Sequence, residues 1–348
     1  MKFGLFYFAN DSESSDDRYR MLLDGAKFAD THDFCAIWTP ERHFHAFGGS
    51  YPNPAVVGAA VAAVTEKVAI RAGSVVAPLH PPVRIAEEWS VVDNISHGRV
   101  GLSFASGWHA VDFAIRPENY ANRRDVLIDT VGTVRSLWRG ETTKLPDGTG
   151  EIANVRIFPT PVQAELPVWV TSAGNIETFR SAGRTGSGVL THLLGQDLDD
   201  LRKKIIAYRE AFKKDHDGDG QVALMLHTLI GTDREQVREI VREPFSAYLR
   251  SSIGLILGAA GDILPGVDPK NLNDEDIDFL VMHSFDKYFD TGGLFGTVED
   301  GKATIQRLAE IGVDEVACLI DFVSDVDVVL GGLTHLDELR RAVNGVTS

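Results

Sequence analysis

The chain has 348 residues, 44% hydrophobic and 24% charged, which is ample apolar material for a large globular core. Its 34 Lys and Arg against 50 Asp and Glu leave a formal net charge of −16, which argues against nucleic acid or an anionic membrane as a partner. No apolar stretch approaches the roughly 18 residues of a membrane helix, and MKFGLFYF has neither the length nor the cleavage site of a signal peptide, so a soluble cytoplasmic protein is expected.

Lys2 to Phe8 reads as a buried first strand, and Asp16 to Thr31 as an amphipathic helix with Met21, Leu22, Ala26, Phe28 and Ala29 on its apolar face. A second strand, Phe34–Trp38, runs into the turn-rich TPERHFHAFGGSYPNP, and a helix follows near Ala55–Thr65. Val68 to Trp108 is one βαβ unit: a β-branched strand, a turn at APLHPP, a helix from about Val83 to Ser96 stopped at His97-Gly98, and a second strand. Both strands end in small residues, Gly73-Ser74 and Ala105-Ser106-Gly107, which suits a flat ligand lying against the backbone. Asn119–Trp138 is a helix, and Gly140–Pro167 reads as an inserted hairpin. Strands at Val168–Thr171, Gly188–Leu193 and Val222–Ile230 alternate with helices at Ile176–Arg184 and Leu198–Lys214. An irregular excursion from about Pro244 to Gly296, a lid or channel wall, precedes the last strand, Glu315–Ile320, and a closing helix at Leu336–Val343.

Eight strand-then-helix units predict a single-domain (β/α)₈ barrel spanning residues 1–348. Both insertions, 140–167 and 244–296, are expected beside the carboxyl-end mouth, where loops shape ligand access. Cys35 and Cys318 fall in strands and are expected to pack as reduced, small apolar groups. Three motifs are decoys. DHDGDG at 215–220 imitates a calcium loop but has Leu226 where a bidentate glutamate is required. GTVEDGK at 296–302 imitates a phosphate loop but carries Ala303 in the magnesium-binding position, and reads as a helix cap. Glu41, His43 and His45 lack a second ligand cluster, so no metal is expected.

In a barrel the chemistry belongs at the strands' carboxyl ends. There stand Glu41, Arg42 and His43 after strand two, Gly73 and Ser74 after three, Ser106 and Gly107 after four, and Ser172, Ala173, Gly174 and Asn175 after five. The last group opens a helix, so its hydroxyls, backbone N–H groups and positive dipole end suit a phosphate or simply form an N-cap.

KFGLFYF, IWTPERHF at 37–44, HPPVRIAEEWSVVDNISHGR before a strand ending in SGW, VWVTSAGN at 168–175 and FGTVEDGKATIQRLAEIGVDEVACLIDF at 295–322 occur in an order that resembles the bacterial luciferase-like flavin-dependent monooxygenases. Within that family the chain is similar to the branch found beside natural-product assembly lines. The resemblance implies an FMNH2- and O2-dependent monooxygenase working through a C4a-(hydro)peroxyflavin on a secondary metabolite or carrier-tethered intermediate. No nicotinamide-binding motif is present, so a separate flavin reductase is expected to supply the cofactor. Sister families imply two alternatives, an F420-dependent hydride-transfer enzyme and a non-catalytic flavin-binding partner subunit. The resemblance further implies a cis peptide at Gly73–Ser74, a flavin phosphate at Ser172, Gly174 and Thr178, and a homodimer formed through helix faces near Ala55–Val64 and Ile85–Val92. Two positions depart from the family. Arg42 replaces the first of two histidines, leaving His43 as acid–base group with Glu41 orienting it and Arg42 binding an anion. Ser106 replaces a phosphate-binding arginine, whose charge Arg123 or Arg124 can supply.

Overall fold

The computed structural model describes residues 1–8, 17–46, 48–172, 174–259, 281 and 285–345, with the side chains of 251–259 excepted. Eight strands pair in parallel around a ring: β1 (Lys2–Phe6), β2 (Ala36–Thr39), β3 (Ala69–Val76), β4 (Val100–Ala105), β7 (Val168–Thr171), β8 (Gly188–His192), β9 (Val222–Ile230) and β11 (Glu315–Leu319). Parallel pairing of β11 with β1, and of β8 with β9, closes the sheet into the barrel expected from the sequence. The helices α1 (Arg20–Thr31), α2 (Pro54–Val64), α3 (Pro82–Ile95), α4 (Arg123–Trp138), α5 (Ile176–Arg184), α6 (Leu198–Asp215), α7 (Arg234–Ala259), α8 (Val298–Glu310) and α9 (Val326–Asn344) cover it.

Local chemistry starts these helices. Asn53 accepts from the amides of Ala55 and Val56, with Pro54 in the first turn of α2; Asn175 and Asp197 cap α5 and α6. GTVEDGK is a helix start, as expected: Thr297 and Asp300 form a reciprocal capping box for α8.

The lumen is identified by residues of several strands that meet only across it. Glu315 of β11 accepts from Arg71 of β3 at 2.7 and 3.0 Å and from Trp38 Nε1 of β2 at 2.8 Å, and the Arg71 guanidinium lies 4.9 Å from the Trp38 ring and 4.6 Å from the Trp169 ring. Two indoles fit because inward neighbours are glycine: a Cβ at Gly101 would lie 2.9 Å from the Trp169 ring, and one at Gly188 would strike the same ring. Alternation from these positions gives the layers above them.

Two features differ from the sequence reading. Pro244 does not end a helix: α7 runs through it, because Val237, Val241, Phe245, Tyr248 and Leu249 form one buried stripe whose packing outweighs the bond that proline removes. Of the expected 244–296 excursion, 260–280 and 282–284 lie outside the described residues, and its end forms a short strand, β10 (Leu294–Gly296), on Thr228–Ile230 of β9. The second correction concerns the hairpin. β5 (Thr143–Pro146) and β6 (Ile152–Val155) pair antiparallel, but the insertion joins a helix end to a strand start, which places it at the amino-end face. Asp93 at the end of α3 accepts from the amides of Val162 and Gln163 at 2.7 and 3.0 Å, and Gln163 donates to the Val100 carbonyl at 3.0 Å. Cys318, inside β11, and Cys35, one residue before β2, are free thiols, and burial pushes Cys318 up to about 12. In the 215–220 turn Asp219 pairs with Lys213 at 2.6 Å. Among the described residues no helix is long and apolar enough to cross a membrane.

Candidate active site

Glu41, two residues past β2, has a fully buried side chain. One carboxylate oxygen accepts from His43 Nε2 at 2.8 Å and His80 Nε2 at 2.5 Å, and the other from the Val76 amide at 2.7 Å. A carboxylate only accepts, so each imidazole carries its proton on the Nε2 that faces it. Burial, the largest influence on Glu41, works to raise its pKa, yet the bonds from His43, His80 and Val76 hold it below the ordinary carboxylate value. Burial likewise works to lower His80, and is outweighed by the bond to Glu41 and its charge, which raise it.

His80's raised value gives stability that is complete below its ordinary 6.5 and fades as pH climbs through the folded-state value. Glu41's lowered value gives stability present above its ordinary 4.5 and lost as pH falls through the folded-state value. The pair therefore stabilises most between those two pH values. In Glu41→Gln the His80 titration midpoint, followed by ¹⁵N NMR, should drop, since burial, the largest influence, is then opposed only by the more weakly acting charge of Glu88; an unchanged midpoint would show that Glu41 does not hold the proton there.

Arg42 turns away from Glu41. Its guanidinium carbon lies 5.8 Å from the Phe8 ring and 6.0 Å from the Trp108 ring in a buried setting; burial lowers its pKa, against the opposing charge of Asp112. Glu41 is paired instead with the two histidines. Asp112 is raised by burial against the charges of Arg42 and His43. His109 is pushed down to about 4 by burial, then by Arg42 and His45, so it is neutral near pH 7.

On the adjoining strands the Gly73–Ser74 peptide is cis, and a Cβ at Gly73 would lie 2.6 Å from the Phe6 ring. The Ser74 hydroxyl is hydrogen-bonded to that of Thr171, which also bonds Ser103 Oγ at 2.7 Å, so β3, β7 and β4 share a hydroxyl chain. Ser106 and Ser172 leave the neighbouring strands β4 and β7 two residues beyond the Phe104–Val170 register pair. Ser172 is buried, Gly174 is exposed with open space where a Cβ would sit, and Thr178 lies in the first turn of α5; Ala173 lies outside the described residues. Gly107 has φ +72, and a Cβ there would meet Phe113 and Val76 at 2.9 Å. Arg123 donates to the Gly107 carbonyl at 3.3 Å, which brings its charge to the end of β4, whereas Arg124 is exposed.

The structure places Glu41 and His43 in contact, and adds His80, whose only sequence signal is a histidine just past a barrel strand. The acceptor and donor atoms of Glu41, His43 and His80 lie within 4.8 Å of one another, so His80 rather than His45 completes that cluster. Ser103, His192 and His227 sit inside apolar strand runs and become visible only once the lumen side is known.

The luciferase-like monooxygenase profile matches residues 1–315. A relative from Acinetobacter baylyi, the oxygenase component of a flavin-dependent trigonelline monooxygenase, is 25% identical over 253 residues, covering 70% of this chain and 69% of that protein. Among solved structures, the monooxygenase RslO1 of Streptomyces bottropensis superposes with a TM-score of 0.78 at 21% identity, covering 97% of this chain and 98% of its own. The oxygenating constituent of 3,6-diketocamphane monooxygenase from Pseudomonas putida, in complex with FMN, gives 0.76 at 18%, with 97% of each chain covered. An F420-dependent secondary alcohol dehydrogenase gives 0.69 at 18%, covering 99% of each.

Proposed function

The chain belongs to the luciferase-like monooxygenase family, and on that premise we propose that it is an FMNH2- and O2-dependent monooxygenase of a small metabolite, free or carrier-tethered, in a single barrel domain. The observation that carries this reading is the buried Glu41 carboxylate held between two imidazoles at the mouth, beside the close-packed Gly73–Ser74 wall. Reduced FMN, when bound, supplies the electrons that activate oxygen. The residues present fit it: Gly73, Ser74 and Gly107 form a wall with no room for larger side chains against a flat ring, and Ser106, Ser172, Gly174 and Thr178 offer hydroxyls and a helix start to a phosphate, with Arg123 in reach. His43 takes and returns a proton at Nδ1, Glu41 fixes its tautomer through Nε2 and balances its charge, and Arg42 holds an oxyanion. A separate reductase delivers the reduced flavin, as the name of the Acinetobacter relative implies for that protein.

Visible absorption of the protein after mixing with FMN and, separately, with F420 tests the cofactor. Retention of FMN is expected; retention of F420 alone would replace oxygenation by hydride transfer. Gly174→Val should weaken FMN at least about tenfold by filling the space the phosphate needs, or about 1.4 kcal/mol; unchanged affinity in the folded variant would move the phosphate elsewhere.

We also propose a homodimer through α2 and α3. PAVVGAAVAAV carries no charge, and Val56, Val64, Val91 and Ile95 of the two neighbouring helices face solvent. Sedimentation of the parent as a dimer, and of Val56→Glu/Val91→Glu as a monomer, is the expected result; a monomeric parent would remove the interface.

A further inference from the structure

Across the lumen from the Gly73–Ser74 wall stands a group that the reading above does not use. In the ring of eight, β9 is four strands from β3, and so faces it. His227 of β9 is the register partner of Leu319, which lies four residues past the lumen residue Glu315 on β11 and therefore on the same side. Two residues lower, Met225 pairs with His192 of β8, so His192 also points inward.

The surroundings of His227 are apolar. Its ring centroid lies 4.2 Å from that of Tyr248, 4.7 Å from Phe245 and 5.3 Å from Phe322, each nearly edge-on. It is 2% exposed, and its Nε2 is buried with no hydrogen-bond partner among the described residues. Such an atom costs about 1–3 kcal/mol of lost hydration if nothing pairs with it, and an aliphatic residue would fill the place without that cost. Burial, then the charge of His192, pushes His227 down to about 3, so the imidazole is neutral at any working pH. A neutral imidazole between aromatic rings does not recruit a carboxylate or phosphate. It offers one directional bond to an uncharged oxygen, in surroundings that are aromatic on three sides.

We infer that His227, with Tyr248, Phe245 and Phe322, forms the substrate subsite on the β9 side of the mouth, and that it takes a planar aromatic molecule by a single hydroxyl or carbonyl oxygen. This rests on the monooxygenase reading, which needs a substrate held across the lumen from the flavin wall. His192 sits lower on the same side, with its Nδ1 accepting from the Leu194 amide at 3.1 Å. That bond leaves its Nε2 carrying the ring proton, and burial pushes it down to about 4, so no charge develops beneath the subsite.

Two probes that differ by one oxygen, 2-naphthol and naphthalene, separate hydrogen bonding from ring packing. Their dissociation constants are measured by fluorescence titration of the FMN-free chain, parent and His227→Phe. The variant keeps an aromatic ring and removes the nitrogen. It should weaken 2-naphthol at least about tenfold and leave naphthalene within threefold. In the parent, ¹⁵N-histidine NMR should show the His227 Nε2 resonance move with 2-naphthol and stay fixed with naphthalene; this second readout does not depend on the variant folding. Equal losses for both probes, equal affinity of parent and variant for 2-naphthol, or a His227 resonance indifferent to 2-naphthol would each overturn the subsite. FMN affinity is scored in a separate titration, so a failure of the cofactor reading is not mistaken for a failure of this one.

Discussion

Replacing His43 by alanine is expected to leave FMN binding intact and to lower turnover by about 10²–10⁴-fold, the usual worth of a positioned proton-transfer group. The geometry sharpens the expectation. His43 shares its carboxylate oxygen with His80, so two imidazoles donate to one set of lone pairs, and the bond to Glu41 and its charge raise His80 against the pull of burial. His43 holds Glu41 through Nε2, so a proton can pass at its Nδ1 without breaking the network. His80→Ala should accordingly cost less turnover than His43→Ala, while shifting the pH–rate profile, because the charge that steadies Glu41 is gone. Turnover of His43→Ala within threefold of the parent, with oxygen uptake still coupled to product, would pass the proton-transfer role to His80.

What could be foreseen about this site divides along a physical line. Glu41 and His43 were legible because they follow a strand directly, and position after a barrel strand is a local property. The eight barrel strands were legible for a related reason: they are largely buried on both faces, so VALMLHTLI or VWVT reads as a mostly apolar run without alternation. His80 is 39 positions from Glu41, and nothing in HPP declares which carboxylate it will meet. His227 is harder still, since inside an apolar run it resembles a core histidine until the register with β11 shows which way it points. The course of α7 through Pro244 depends on a stripe of aromatic contacts with β10 and its neighbours, a tertiary effect that local propensity does not contain. The face on which the 140–167 hairpin lies was open to reasoning, because a helix-to-strand connection returns to the amino ends of the strands whatever it inserts.

The floor beneath the mouth should be the least forgiving part of the chain. Glu315 is 5% exposed at its side chain and serves two donors, Arg71 and Trp38. Glu315→Ala leaves a guanidinium in the lumen without its counter-charge and an indole N–H without an acceptor, and is expected to cost about 3–5 kcal/mol, the penalty for breaking one half of a buried pair. Most of that cost is the stranded charge rather than the attraction lost. A double variant, Arg71→Met with Glu315→Leu, should therefore recover most of the stability, because similar volumes fill the lumen and no charge remains. Urea unfolding checks both, with the midpoint falling at a nearly constant slope for the single variant and returning toward the parent for the double. A single variant within about 1 kcal/mol of the parent would mean that water reaches Arg71 from the amino-end face and hydrates it. The floor would then be wet, and the indoles of Trp38 and Trp169, rather than the ion pair, would be what closes the barrel beneath the site.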